Sequence, residues 1–323
     1  MSAFPFCANS GTYGRRALTA GKAAARLLLL ESGFHRCEGA APCIWHADSF
    51  TRKRRDGETR VFGRIVRSQR GNMRVFITGA SSGIGAALAR EYGRSGAHLG
   101  LVARRSELLE QLASELRGRG AKAYVYAADV SDGPTLRAAI SDFAAQTGGA
   151  DRVIANAGIG IGDTLREGNA ESVAHLMSVN VIGVTNTIVP FIPVLLRQGS
   201  GTLVAVSSMA GHRGLPGRAA YSASKAAVIT FMDALRMQLT GSGVHAMTLC
   251  PGFVRTPLTD SLRHDLPFVL DVEHAARLMV SAIEGRKKTY TLPWQMDLLR
   301  HVMVNAPEWL LRKMAPPPRT EGA

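Results

Sequence analysis

A chain of 323 residues with 46% hydrophobic and 20% charged side chains has the balance of a globular protein, enough for one large domain or two small ones. Its net charge of +14 raises nucleic-acid or membrane partners. The charge is uneven, however: residues 1–72 hold 13 Lys/Arg against 5 Asp/Glu. Arg104, Arg105 and the "GRKK" at 285–288 lack the aromatic interleaving of a nucleic-acid groove, so no nucleic-acid partner is expected.

The first 72 residues differ from the rest. Cys7, Cys37 and Cys43 lie there, leaving Cys250 alone in the body with no internal disulfide to make. A reducing, cytoplasmic setting is therefore expected. The "AAARLLLL" at 23–30 is short and interrupted by Arg26, and no run is read as reaching the roughly 20 apolar residues of a spanning helix. Residues 1–72 show no alternating strand pattern, no nucleotide motif and no long apolar helical face. They are expected to lie outside the catalytic fold as a mostly disordered extension, with a misassigned start as its simplest origin. The competing reading is an organellar presequence, because residues 1–30 hold Arg15, Arg16, Lys22 and Arg26 and no acid.

From Met73 the chain becomes regular. Apolar runs at 73–77, 98–102, 123–127, 152–155, 202–206 and 244–250 read as strands. Helical patterns such as "AALAREYGRSG", "SELLEQLASELRGRG" and "TLRAAISDFAAQTGG" separate the first four. Gly96, Gly120 and Gly149 are expected to end these helices at left-handed caps. Strands of near six residues alternating with helices of 10–15 predict β-α-β units, and nearly continuous apolar strands predict a parallel sheet covered on both faces. The expected architecture is an α/β doubly wound parallel sheet of Rossmann type, a single catalytic domain over 73–293 with an amphipathic tail over 294–323.

Two stretches carry chemistry. "TGASSGIG" at 78–85 follows the first strand and opens the first helix. Without a Cβ, Gly79 suits the tight turn, and Gly83 and Gly85 suit close approach of backbone and cofactor. The helix then aims its amide groups and positive dipole end at a pyrophosphate. In "AYSASKAAVITFMDALRMQL", Tyr221 and Lys225 stand four apart on one helical face. A lysine ammonium near a phenol lowers its pKa, so that the tyrosine can exchange a proton with a substrate oxygen. Taken alone, that pair is equally an incidental feature of an amphipathic helix.

Together these stretches resemble the short-chain dehydrogenase/reductase family, classical type, across about 73–260. The cofactor loop is "TGASSGIG", and "ANAG" at 155–158 is similar to the family's N-N-A-G, with Ala155 for the first Asn. "SVN" at 178–180, Ser208 thirteen residues before Tyr221, "YSASK" and "PGFVRT" at 251–256 complete the set in order. The resemblance implies a catalytic set of Ser208, Tyr221, Lys225 and Asn180. Hydride passes between nicotinamide and a carbonyl carbon, Ser208 hydrogen-bonds the oxygen, and Tyr221 moves the proton. Lys225 lowers the tyrosine pKa and bonds the cofactor ribose, while Asn180 holds a water linking Lys225 to solvent. The cofactor cleft is expected from Gly79, Ser81, Ser82, Gly83, Ile84, Gly85, Asn156, Gly158, Tyr221, Lys225, Pro251, Gly252 and Thr256. Asp129 would bond the adenine, or simply cap the next helix. No metal site is read.

At the end of the second strand, where an NAD enzyme usually places an acid, stands Ala103, followed by Arg104 and Arg105. Nothing acidic repels a 2′-phosphate and Arg104 can clasp it, so NADP(H) is the expected cofactor. Leu165, Met209, Leu215, Leu258 and Leu262 supply an apolar setting for a small carbonyl or alcohol substrate, and His212 is expected on a surface loop. The tail stripe at 298, 299, 302 and 303 can pack on its own domain, cap the pocket, pair subunits or lie on a membrane. A homodimer or homotetramer is the expected assembly. The expected function is an NADP(H)-dependent carbonyl reductase or alcohol dehydrogenase; a non-catalytic nucleotide-binding regulator on the same fold is the alternative.

Overall fold

The computed structural model describes residues 73–160, 165–259 and 266–313. All of these residues fall in the second of two units into which the chain divides, Asp56–Ala323. All that follows concerns the second unit; the expectations for residues 1–72, and for Leu262, lie outside the described residues.

Strands β1 (Arg74–Thr78), β2 (His98–Ala103), β3 (Lys122–Ala127), β4 (Arg152–Ala155), β5 (Gly201–Val206), β6 (Val244–Pro251) and β7 (Thr289–Leu292) form one seven-stranded sheet in the order β3-β2-β1-β4-β5-β6-β7. Every pairing is parallel. The order reverses between β1 and β4, which opens a crevice at the carboxyl ends of these two strands. β7 was not legible in the strand pattern. Its four residues, Thr-Tyr-Thr-Leu, are held in register by β6, Thr248 opposite Thr289.

Period-two alternation sends side chains to opposite faces of each strand. Val75 and Ile77 of β1 face helices α1 (Gly83–Gly93), α2 (Ser106–Gly118) and α8 (Val272–Glu284), numbering the helices in chain order. Phe76 faces α3 (Gly133–Thr147), a helical run comprising α4 (Ala170–Met177), α5 (Gly183–Ile188) and α6 (Ile192–Gln198), and α7 (Ala219–Gln238). On that second face Phe76 is the hub, with ring centroids 5.4 Å from Phe143 and 5.1 Å from Phe191. Gly100 on neighbouring β2 makes room for it, since a Cβ there would lie 2.6 Å from the Phe76 ring.

Two helix-end readings shift. The left-handed cap of α3 is Gly148, with Gly149 also at positive φ, and the N-cap of α3 is Asp132, whose carboxylate accepts from the Thr135 amide. Asp129 instead folds back on Ser131, accepting from its amide and hydroxyl. The membrane-span reading also changes. Ala170–Gln198 is long and apolar enough to cross a membrane by composition, with mean hydropathy 1.8. The sequence reading missed it because Asn and Thr break the run, whereas one continuous helical path reunites the apolar positions. Leu176 is buried, and Val184, Ile188, Phe191 and Leu195 pack against the sheet, as in a core helix.

The tail is two helices, α9 (Trp294–Asn305) and α10 (Glu308–Lys313). Met296 and Met303 are buried in a cluster with Met209, flanked by Leu215, Phe253 and Leu299. The stripe read as one face therefore splits: 299 and 303 turn inward, while 298 and 302 turn outward. A helix with apolar residues on more than half its circumference has no single face that its sequence can specify.

Because Phe76 is fully buried among three aromatic partners, Phe76→Ala is expected to destabilise the domain by about 3–5 kcal/mol. Urea unfolding at constant m-value measures it.

Candidate active site

At the crevice the chain turns from β1 into α1. Gly79 and Gly83 adopt φ of +69° and +55°, a region other residues enter at a cost. Gly85 is required for a different reason. A Cβ there would collide with the Gly79 carbonyl oxygen and lie 2.6 Å from Asn156 Nδ2, so α1 approaches the strand end only because residue 85 has no side chain. Asn156 ties the loop to β4, donating from Nδ2 to the carbonyls of Thr78 (3.0 Å) and Gly79 (3.3 Å). Thr78 Oγ1 accepts from the amides of Asn156 and Ala157. The N-terminus of α1 has no side-chain cap and no acid in its first turn, leaving its amide groups and dipole directed at the crevice.

These elements border a cleft of about 500 Å³. Its walls include Gly79, Ser81, Ser82, Gly83, Ile84, Arg104, Arg105 and Asp129 on one side. Asn156, Gly158, Ser208, Tyr221, Lys225, Pro251, Gly252 and Thr256 form the other. Gly85 and Asn180 stand behind the wall as supports. Thr256 bridges the two sides: its methyl group would be 3.3 Å from a Cβ on Gly83.

The floor is polar and buried. Ser208 lies two residues past the end of β5, its Oγ accepting from the Ala210 amide at 3.2 Å, and lines the cleft with Tyr221. Lys225, one helical turn after Tyr221, places Nζ 5.8 Å from the tyrosine ring centroid and donates to the Val206 carbonyl at 3.1 Å. Burial raises the Tyr221 pKa, against the lowering effects of the Ser208 hydrogen bond and the Arg218 charge. This differs from the lowered phenol expected from the Tyr-Lys spacing, because desolvation outweighs the lowering effects of Ser208 and Arg218. The same desolvation lowers Lys225 to about 8.

Asn180 lies in a π turn, Ser178–Ile182. Its side chain is fully engaged: Oδ1 accepts from the Ile159 amide at 2.8 Å, and Nδ2 donates to the Ile159 carbonyl and to Ser224 Oγ. Ser224 in turn donates to the Tyr221 carbonyl, and Ser207 donates to the Lys225 carbonyl. Thr78, Ser207 and Ser224 were not singled out from sequence, although Thr78 and Ser224 sit inside motifs quoted above and Ser207 precedes Ser208. Their role is to hold the backbone that carries the reactive groups.

The two arginines diverge. Arg104 lies 3.7 Å from the Asp129 carboxylate with its side chain 62% exposed. Arg105 donates to Ser81 Oγ at 2.9 Å and Ser82 Oγ at 2.7 Å. Burial pushes the Asp129 pKa up, but the two Ser131 contacts and Arg104 outweigh it and hold the carboxylate below its usual range. His212 is half-buried between the Ser208 segment and α9, its pKa lowered by burial and by Arg300, so it is not the free surface residue expected.

The fold has counterparts among known proteins. Residues 73–267 match the short chain dehydrogenase family. An oxidoreductase of Myxococcus xanthus is 37% identical over 68% of this chain and 87% of its own length. The chain belongs to the short-chain dehydrogenase/reductase family. Among solved members, an alcohol dehydrogenase of Thermococcus sibiricus complexed with 5-hydroxy-NADP is 29% identical with a TM-score of 0.63, covering 68% of this chain and 96% of that one. A short chain dehydrogenase/reductase of Burkholderia phymatum in complex with NAD is 26% identical with a TM-score of 0.66, covering 78% and 98%. Both dinucleotides therefore occur in short-chain dehydrogenase/reductase relatives of this fold. The uncapped helix, the close backbone approach at Gly79, Gly83 and Gly85, and the cleft volume fit such a group here.

A buried lysine lowered from 10.5 to about 8 disfavours folding wherever it must be charged in both states. The penalty is complete below about pH 8 and is relieved as pH rises from 8 to 10.5, where the unfolded chain binds more protons than the folded one. Lys225→Met is thus expected to raise stability at pH 7 by about 1–3 kcal/mol while abolishing turnover. The stability gain shrinks toward pH 10.5. Thermal melting across that pH range reads it directly.

Proposed function

We infer that this short-chain dehydrogenase/reductase is an NADP(H)-dependent enzyme interconverting an apolar carbonyl compound and its alcohol. The observation that carries the reading is the grouping of Ser208, Tyr221 and Lys225, with Lys225 Nζ 5.8 Å from the tyrosine ring centroid, in the wall of a cleft that an uncapped helix N-terminus faces. A bound nicotinamide dinucleotide supplies or accepts the hydride. The glycine loop and the first turn of α1 would hold its pyrophosphate, and Lys225 its ribose hydroxyls.

In the reducing direction negative charge grows on the carbonyl oxygen. Ser208 Oγ donates a hydrogen bond to that oxygen, and Tyr221 delivers the proton. A phenol raised by burial is protonated at neutral pH, the form that donates. Asn180 and Ser224 act one layer back, fixing Ile159 and the first turn of α7 so that the tyrosine oxygen keeps its place. Apolar Leu258 borders the reacting end: it and the Tyr221 ring both lie within 4 Å of where a Gly160 Cβ would stand. This supports an uncharged substrate.

Support for NADP(H) comes from Ala103 in place of an acid and from Arg104, exposed and tied to Asp129 only at 3.7 Å. Arg104 can turn to a 2′-phosphate, whereas Arg105 already braces two loop hydroxyls. A homodimer or homotetramer is supported by Ile182, Val189 and Leu196, exposed at seven-residue intervals along the α4–α6 run. A cytoplasmic setting is supported by Cys250, a buried free thiol.

Tyr221→Phe is expected to lower kcat about 10²–10⁴-fold with cofactor affinity nearly unchanged. Steady-state rates with NADPH against a panel of aldehydes, ketones, sugars and acyl thioesters test it, and a Phe variant with near-wild-type turnover would remove the acid–base role.

Arg104→Ala is expected to weaken NADPH binding by about 1–3 kcal/mol and to spare NADH. Arg105→Ala, which frees the loop, is expected to weaken both. Titration of each variant with the two reduced cofactors separates these roles; equal losses for Arg104→Ala, or wild-type preference for NADH, would overturn the NADP(H) assignment.

A further inference from the structure

Helix α9 has one apolar face more than its own domain uses. Met296 and Met303 meet the Met209 cluster, and Met296 packs against Gly252 of the cleft wall. On the opposite side Trp294, Leu298 and Val302 are 72%, 63% and 55% exposed. Their spacing of four places them in one stripe along the helix. Trp309, 62% exposed, and Leu310 extend the apolar surface onto α10. Among the described residues nothing covers this stripe.

The chemistry around the stripe distinguishes possible occupants. The exposed positions on the α4–α6 run are aliphatic at heptad spacing, a composition suited to another copy of the chain. The tail surface instead carries two tryptophans, side chains that favour the boundary between water and hydrocarbon because one edge of the ring is apolar and one donates a hydrogen bond. A cation flanks them: Lys313 places Nζ 5.4 Å from the Trp309 ring. The acids of the two helices are held by arginines, Asp297 by Arg300 and Glu308 by Arg312, so they present little free negative charge. Residues 73–323 hold 26 Lys/Arg against 20 Asp/Glu. We propose that the outward face of α9 and α10 docks on a phospholipid surface bearing anionic headgroups, with Trp294, Leu298, Val302 and Trp309 inserted and Lys313 at headgroup level. Helices of this build lie in the plane of the interface, held jointly by apolar burial and attraction to anionic lipid. The docking face is then one side chain from the cleft, through Met296.

The test uses the full-length protein and no cofactor, so its outcome is independent of the proposed reaction. Flotation with vesicles of phosphatidylcholine alone is compared with vesicles containing phosphatidylglycerol. The wild type is expected to float with the anionic vesicles, and a W294S/L298S double variant to bind them at least about tenfold more weakly. Because both side chains are exposed, the variant should keep the wild-type melting temperature. Brominated lipid should quench wild-type tryptophan emission, and a W294F variant should lose part of that quenching. Equal binding by wild type and double variant would assign vesicle binding to the basic first 72 residues and overturn the proposal. Failure of the wild type to bind, or a loss of dimer mass in the double variant without vesicles, would overturn it too, the latter by identifying a second copy as the occupant.

Discussion

Everything in the site depends on how closely α1 can approach the end of β1. The limiting contact is between Gly85 and the Gly79 carbonyl, where even one methyl group does not fit. That closeness brings the first-turn amides to the crevice and lets Asn156 reach two carbonyls of the loop from the neighbouring strand. The glycine spacing thus reflects two demands. Positive φ is needed at 79 and 83, and absence of volume at 85. A helix terminus left without a side-chain cap is tolerable in a cleft because solvent or an anion can meet its amides.

The opposite wall follows a different logic. Lys225 is buried without a carboxylate partner, satisfied instead by the Val206 carbonyl and the face of Tyr221. Such a group costs stability, and the fold offsets that cost through a dense polar layer: Ser207 on the Lys225 carbonyl, Ser224 on that of Tyr221, and Asn180 joining Ser224 to Ile159. These residues secure backbone rather than chemistry. They keep the tyrosine, serine and lysine in one relation at the cleft, the preorganisation that the proposed proton transfer would use.

The two ends of the molecule's apolar surface serve different needs. On the sheet, β-strand alternation partitions side chains cleanly, so Val75 and Ile77 go to one layer and Phe76 to the other. On α9 there is no such partition. Its methionines, flexible enough to fill the space beside Gly252, take the interior, and its tryptophan and aliphatic residues are left facing out.

Local chemistry was enough, in the sequence itself, for six of the seven strands, the parallel sheet, the glycine loop and the nearness of Tyr221 to Lys225, because each rests on a short-range rule: apolar runs for buried strands, side-chain-free positions for a phosphate turn, and four-residue spacing for one helical face; Ser208 was reached only through the family resemblance. What depends on long-range neighbours was not legible. β7 exists because β6 supplies its partner, and Asp132 rather than Asp129 caps α3 because the turn geometry selects between two nearby acids. The Tyr-Lys spacing correctly suggested proximity but not protonation, since the pKa of Tyr221 is governed by desolvation from elements distant in sequence. In the same way only the folded chain decided that Arg105 braces the loop while Arg104 stays exposed, and which half of the tail stripe is buried. Burial and electrostatics are properties of the assembled environment, and no window of sequence contains that environment.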